Sequence, residues 1–339
     1  MKNISLKDIA QKAGTSISTV SFVLNGKDKK VRISTALAAK IKSIAEKEGY
    51  YPNKMAVGLR TGKSNIIGLV VDTIYGHFFA SLAEVIEKEM DQHGYKVIYC
   101  STNNNAAKGK DLVRLLYQHQ VDGYFIIPTT GMEKEIQGLE DQGKPVVLID
   151  TYFPQIKSAH VLVDNHDGIS LATSHLLKAG YDKIAFVYND VAMIQMKERR
   201  RGFTEAMQLS GKKASMLKIP VSKTRQEHTE AIANFLKKQQ PNAVIFAANY
   251  LGLRGLEAIR TLGLDIPNDL GVVCFDDHEL FQLYQPSITV VQQPVQEMAK
   301  AAVNILMSKL KTGNTIIKDT MEIKAKLIRR ESSRRVKRI

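Results

Sequence analysis

Two cysteines stand in 339 residues, Cys100 and Cys274, far apart and each inside an apolar run. That scarcity excludes a disulfide scaffold, and both are read as reduced, buried thiols. No apolar run reaches the roughly 18 residues of a membrane helix, so no membrane span is expected. The N-terminus, MKNISLKDIAQKAG, lacks the apolar stretch of a secretory leader, which points to a cytoplasmic protein. Enzyme signatures are missing too. GLRTGKS, at 58–64, is one residue short of the spacing that a phosphate loop needs, and no apolar strand precedes it. Asp276, Asp277, His278 and Glu279 are consecutive, so they cannot converge on one ion. No metal, no cofactor and no catalytic residue is expected.

What is present is positive charge, unevenly placed. The chain carries a net +14, with 13 Lys or Arg against 4 Asp or Glu in residues 1–65 and 8 against 1 in residues 324–339. The stretch between is slightly acidic. A near-neutral body with a basic head suits a polyanion-binding module attached to a separate core. A hydrophobic content of 44% fits a soluble globular chain of two or three domains.

The first 50 residues read as three helices. LKDIAQKA sets Leu6, Ile9, Ala10 and Ala13 on one face before Gly14 breaks the helix. Ser16 can cap the next helix, whose apolar residues are Ile17, Val20, Val23 and Leu24 and which ends at Asn25-Gly26. The third starts at Ser34, turns Leu37, Ala38, Ile41, Ile44 and Ala45 inward, and ends at Gly49. Two short helices joined by a tight turn form a helix-turn-helix. Its second helix is rich in Ser18, Thr19 and Ser21, poor helix formers whose short hydroxyls reach phosphates and base edges without clashing. YYPNKMAVGLRTGKS, at 50–64, is a linker in which Asn53–Leu59 is long enough for two helical turns, too few to stand alone.

From residue 66 short apolar runs alternate with helical stretches. The runs are IIGLVV, KVIYC, GYFIIP, PVVLID, HVLVD, KIAFVY, AVIFAA and GVVCF. The helical stretches lie near 79–93, 106–120, 133–142, 167–179, 197–210, 225–239 and 251–262. Such βαβ repetition predicts parallel sheets covered on both faces. The units are too many for one compact sheet, so two subdomains with a cleft are expected, with ligands beyond the carboxyl ends of the strands.

SLKDIAQKAGTSISTVSFVLNG, GYYPNKMAVGLR and SNIIGLVV, followed in order by DGYFIIP, DNHDG, RRRGF, VVCFDD, TVVQQP and LIRRES, resemble the lactose/galactose repressor (LacI/GalR) family of bacterial transcription regulators over essentially the whole chain. The resemblance implies an all-α helix-turn-helix DNA-binding head at 1–49, a hinge helix and linker at 50–65, and an α/β core at 66–330. That core would be two parallel-sheet subdomains resembling periplasmic sugar-binding proteins, one near 66–163 and 295–322, the other near 164–291. A basic tail would occupy 331–339. The implied partners are a pseudo-palindromic double-stranded operator, a second copy of the chain and a small effector, a sugar or sugar derivative. The tail lacks the leucine heptads of a tetramer, so a dimer is expected.

The family pattern assigns residues too. Ile17, Ser18 and Phe22 stand where it reads bases; Ser16, Thr19, Ser21 and Asn25 stand where it caps the reading helix and holds phosphates. Asn53, Lys54, Ala56, Leu59 and Arg60 fall in the hinge, with Leu59 placed to wedge between base steps in the minor groove. Phe22 departs from the arginine of the lactose repressor and implies a half-site less directed to guanine. The effector cleft would draw on Phe78, Phe79, Asp150, Asp164, Asn165, Arg199, Asn249, Tyr250 and Asp276. Tyr250 departs from an aspartate common in the family, so no member's effector is carried over. Two rivals share parts of this pattern. A solute-binding transport protein has the core but not the basic head, and a purine-responsive regulator has both.

Overall fold

The computed structural model describes residues 4–50, 62–74, 76–313 and 320–335. It divides into two units, Met1–Ser64 and Asn65–Ile339. In the first, α1 (Leu6–Ala13), α2 (Ile17–Leu24) and α3 (Thr35–Lys47) enclose a small core of Ile9, Ala10, Ala13, Val20, Val23, Ala38, Ile41 and Ala45. Each helix begins on a serine that satisfies an otherwise orphaned amide. Ser5 pairs reciprocally with Asp8, Ser16 accepts from the Thr19 N–H at 3.1 Å, and Ser34 accepts from Leu37. Gly14 closes α1 at φ 71°, a left-handed conformation that glycine adopts without steric cost, and this permits the tight turn into α2.

The second unit holds two six-stranded sheets. The first contains β1 (Ile66–Val71), β2 (Lys96–Ser101), β3 (Gly123–Ile126), β4 (Val146–Ile149), β5 (Ala159–Val163) and β11 (Thr320–Ile323), in the order β11-β5-β4-β3-β1-β2. The second contains β6 (Ile184–Asn189), β7 (Ser215–Ile219), β8 (Ala243–Phe246), β9 (Gly271–Phe275), β10 (Thr289–Gln292) and β12 (Lys326–Ile328), in the order β12-β10-β9-β8-β6-β7. Among the described residues every pairing is parallel except β10 with β12. The central strands are unbroken apolar runs because helices cover both faces of each sheet. Those helices are α4 (His77–Gln92), α5 (Ala106–Gln118), α6 (Glu133–Asp141), α7 (Asn165–Lys178), α8 (Ile194–Leu209), α9 (Arg225–Gln239), α10 (Asn249–Thr261), a short α11 (Glu279–Leu283) and α12 (Val295–Thr312). The chain passes from one sheet's half to the other three times: from β5 into α7, from β10 into α12, and between β11 and β12 across Lys324 and Ala325.

The periodicity missed β7, β10, β11 and β12. β10 is buried but has only Val290 and Val291 as its apolar run. The other three lie at sheet edges, where water faces part of the strand and polar or charged residues interrupt the apolar run; β7 alternates outward Met216 and Lys218 with inward Ile219. Two other expectations need correction. Cys100 is half-buried, because β2 is also an edge strand, and only Cys274 is fully enclosed. The segment 331–335 is no free tail. Glu331–Ser333 forms a turn whose Ser332 hydroxyl donates to the Val272 carbonyl at 2.7 Å and accepts the Thr289 N–H at 2.8 Å, while Glu331 accepts from Ser287. Among the described residues no helix is long and apolar enough to cross a membrane.

Candidate functional site

Helix α2 is two-faced. Val20 and Val23 turn into the core of the first unit, while Ile17, Ser18, Phe22 and Asn25 are exposed and Thr19 and Ser21 are half-buried. Ile17 is 49% and Phe22 38% exposed, so the outward face of α2 offers apolar groups beside its hydroxyls. The polar groups are pre-ordered. The Ser16 hydroxyl bonds those of Ser18 and Thr19, each at 2.8 Å, and the Asn25 amide donates to the Ser21 carbonyl at 2.6 Å. After α2 the turn 27–32 exposes Lys27, Lys29, Lys30 and Arg32 and is closed by backbone bonds such as Val31 N–H to the Lys27 carbonyl at 3.1 Å. In the sequence these cations register only as part of the head's net charge; their clustering within six positions is the signal that marks them. Asn53, Lys54, Ala56, Leu59 and Arg60 lie outside the described residues.

In the second unit a cavity of about 570 Å³ opens at the carboxyl ends of both sheets. Asp72 after β1, Asp150 after β4 and Asp276 after β9 border it, with Arg199 from α8 and Asn249 and Tyr250 from the start of α10. Phe78 and Phe79 on α4 form an apolar wall, meeting edge to face at 5.3 Å. Across the mouth His77, at the start of α4, meets His278, which caps α11, with ring centroids 5.0 Å apart.

Arg199 is held from three sides. Its Nε donates to Asn165 Oδ1 and its Nη1 to the Ala247 carbonyl, both at 2.7 Å, and the guanidinium lies 3.6 Å from the centroid of the Phe275 ring. Gly202 permits this. A Cβ there would stand 2.3 Å from the His166 carbonyl oxygen, so only glycine lets α8 rest on α7 and bring Arg199 to Asn165. Asn165 therefore positions the arginine instead of lining the cavity. Asp164 does not line it either: its carboxylate accepts the Asp167 N–H at 2.9 Å and caps α7. Both expectations for direct effector contact are corrected: neither residue lines the cavity, since Asn165 is turned to Arg199 and Asp164 to the first turn of α7.

Three carboxylates around one guanidinium leave the floor electron-rich. Burial raises the Asp150 carboxyl to about 6; Arg199 opposes the rise, and Asp276 and Asp72 add to it. Asp72 is raised by burial as well, against a backbone N–H from Asn104. Asp150 Oδ2 accepts from Gln195 at 3.4 Å and Asp276 Oδ1 from Gln293 at 2.6 Å. Among the described residues, Asp150 Oδ1, Gln195 Oε1 and Gln293 Oε1 have no hydrogen-bond partner, so three buried acceptors at the cavity are ready for donors. The Tyr250 ring is half exposed, yet its hydroxyl turns inward to donate to Asn189 Oδ1, and burial raises its phenol further above the physiological range. Asp72, Gln195 and Gln293 were not foreseen. Asp72 follows IIGLVV as Asp150 follows VVLI, so the strand-end rule already pointed to it.

Comparison with known proteins agrees with both halves. A family model described as bacterial regulatory proteins, lacI family, matches residues 5–53, and one described as a periplasmic binding protein-like domain matches residues 173–333. The chain is 30% identical over 312 residues to the sucrose operon repressor of Lactococcus lactis subsp. lactis, covering 92% of this chain and 95% of that protein. It is 29% identical over 333 residues to the HTH-type transcriptional regulator KdgR of Bacillus subtilis (strain 168), covering 97% of each. Among solved structures, the Lac repressor dimer bound to operator and the anti-inducer ONPF superposes with a TM-score of 0.84 at 22% identity, over 98% of this chain and 99% of that one, a likeness of fold.

Proposed function

The chain belongs to the LacI family of bacterial regulatory proteins, and from that premise we propose that it represses carbohydrate-metabolism genes under the control of a sugar or sugar derivative bound in the cleft. It is a DNA-binding transcriptional regulator and not an enzyme. In this reading a homodimer sets two copies of α2 into successive major grooves of a pseudo-palindromic operator. Ile17, Ser18 and Phe22 meet base edges. Ser16, Thr19, Ser21 and Asn25 hold the backbone, and Lys27, Lys29, Lys30 and Arg32 add sequence-independent attraction to phosphates.

The observation that carries the reading is the division of α2 between a buried Val20–Val23 face and an exposed face of small hydroxyls and unburied apolar groups. The cleft supports the effector half. Polyol hydroxyls donate to Asp150 Oδ1 and Gln293 Oε1 and accept from the Arg199 guanidinium, while a ring face rests on Phe78 or Phe79. The similarity to a sucrose operon repressor favours sugars over other small molecules. Coupling follows from linkage. An effector that prefers one setting of the two sheet-bearing halves changes operator affinity by the free energy of that preference.

The test is fluorescence anisotropy of the full-length protein on an operator selected from random duplex, at fixed salt, with pools of sugars and of nucleobases. Release by a sugar pool is the expected result. Tightening by the sugar pool makes the ligand a corepressor, and a response to nucleobases alone replaces the sugar with a purine. Binding without preference over random duplex overturns the operator-reading role of α2.

A further inference from the structure

The acidic floor is only part of the cavity lining. On the side of the second sheet, Lys223 from the loop after β7, Arg225 and His228 from α9, and Arg254 from α10 border the same space. The acids at that rim are already engaged. Glu227 accepts from the Thr224 N–H and hydroxyl, both at 2.8 Å, in the capping box of α9. Glu257 accepts from Arg254 at 2.8 Å and from the Thr229 hydroxyl at 2.9 Å. Among the described residues, Lys223 and Arg225 are exposed and have no ion-pair partner, although Lys223 lies close enough to influence the Glu227 carboxyl. The first turn of α9 adds the partial positive charge of its free N–H groups.

The cavity thus has two poles. Its floor gathers three carboxylates around one arginine; its rim gathers four basic side chains with their nearby acids occupied. Val221, Tyr250 and Leu253 line the space as well and give it less polar surface. The volume, about 570 Å³, lies within the ~300–1,000 Å³ of small-molecule sites, which leaves room for one ligand to span both poles. An anion placed on the floor would meet Asp72, Asp150 and Asp276; the same anion at the rim meets Lys223 and Arg225, which among the described residues have no ion-pair partner.

Resting on the reading of the cleft as a polyol site, we propose that the effector is an anionic sugar derivative, a sugar acid or sugar phosphate, whose hydroxyls meet the floor and whose anionic group meets Lys223 and Arg225. Neither cation belongs to the hydroxyl-binding floor, so their removal separates the two poles.

Isothermal titration calorimetry of the full-length protein tests this with matched probes: glucuronate and galacturonate, gluconate, and glucose 6-phosphate, each against its neutral parent sugar. The expected result is that at least one acid binds ~10-fold or more tighter than its parent, an advantage that shrinks as salt rises. A Lys223→Ala/Arg225→Ala double variant removes the advantage and leaves binding of the neutral parent unchanged. The carboxylate and phosphate arms identify which anion the rim takes. Neutral sugars binding as well as every acid, or an advantage that survives in the double variant, overturns the anionic pole and leaves the polyol floor standing. Failure of acids and neutral sugars alike overturns the polyol reading and the proposal that rests on it.

Discussion

Asp150 sits on a left-handed backbone at φ 68°, 6% exposed, with one carboxylate oxygen unpartnered among the described residues. Burial lifts its ionisation from 3.8 to about 6, so the folded effector-free protein holds this proton more tightly than the unfolded chain. A raised carboxyl stabilises the fold below the unfolded value, and that contribution is lost as pH rises from near 4 through about 6. At neutral pH the ionised group therefore costs about 3 kcal/mol, the two-unit shift at ~1.4 kcal/mol per unit. Asp150→Asn, which keeps the shape and tolerates the same backbone, is expected to raise the effector-free melting temperature at pH 7 and not at pH 4, while weakening effector binding ~10-fold or more. Differential scanning fluorimetry at the two pH values reads the first effect and calorimetry the second. An equal shift at both pH values would mean that the carboxylate is not the source of the cost.

Phe22 makes a different kind of prediction. Its ring offers apolar contact to a thymine methyl and no bidentate hydrogen bond to guanine. Phe22→Arg is expected to move the selected operator toward guanine at one position of each half-site, and selection from random duplex before and after the change reads this directly. An unchanged operator places Phe22 away from the bases.

At the scale of elements, the close approach of α7 and α8 organises the cleft. Gly202→Ala sets a Cβ 2.3 Å from a backbone oxygen and forces the two helices apart by about 1 Å to reach ordinary contact, and overpacking of this kind costs about 1–3 kcal/mol or more. Because the same approach brings Arg199 to Asn165, effector affinity should fall in parallel with thermal stability, whereas Gly138→Ala inside α6, where a Cβ meets open space, should leave effector affinity unchanged and raise stability by about 0.5–1 kcal/mol. The turn 27–32 carries a second test. Lys29→Gln with Lys30→Gln is expected to lower the slope of log affinity against log salt by ~0.9 for each phosphate that is no longer neutralised, with the preferred operator unchanged. A slope that stays constant would show these cations to be solvated in the complex.

The same scale explains what could be read from the residues in advance. The three N-terminal helices were legible because each couples a capping serine to an apolar stripe of helical period. Most buried strands were legible because Val, Ile and Leu run unbroken; β10, with only Val290 and Val291 between Thr289 and Gln292, was not. Edge strands β7, β11 and β12 escaped because half of each faces water. In the cleft, Asp150, Asp276 and Asp72 obey one rule, an acid at a strand's carboxyl end. Asp164 also ends a strand but does not line the cavity, because its carboxylate caps α7 instead, and no local pattern separates a capping acid from one left facing a cavity.

For the whole molecule, the decisive feature is that the chain enters the second half, returns to the first and then contributes to both. β11 adds to one sheet and β12 to the other with only Lys324 and Ala325 between them, and Ser332 then bonds into the second sheet. In genetic terms, the codons for residues 320–335 are not expendable. A nonsense codon just after α12 would strip an edge from both sheets at once while sparing every DNA-reading residue. The product would retain the means to find an operator and lose the framework that answers to the effector, so late truncations should impair regulation as severely as early ones.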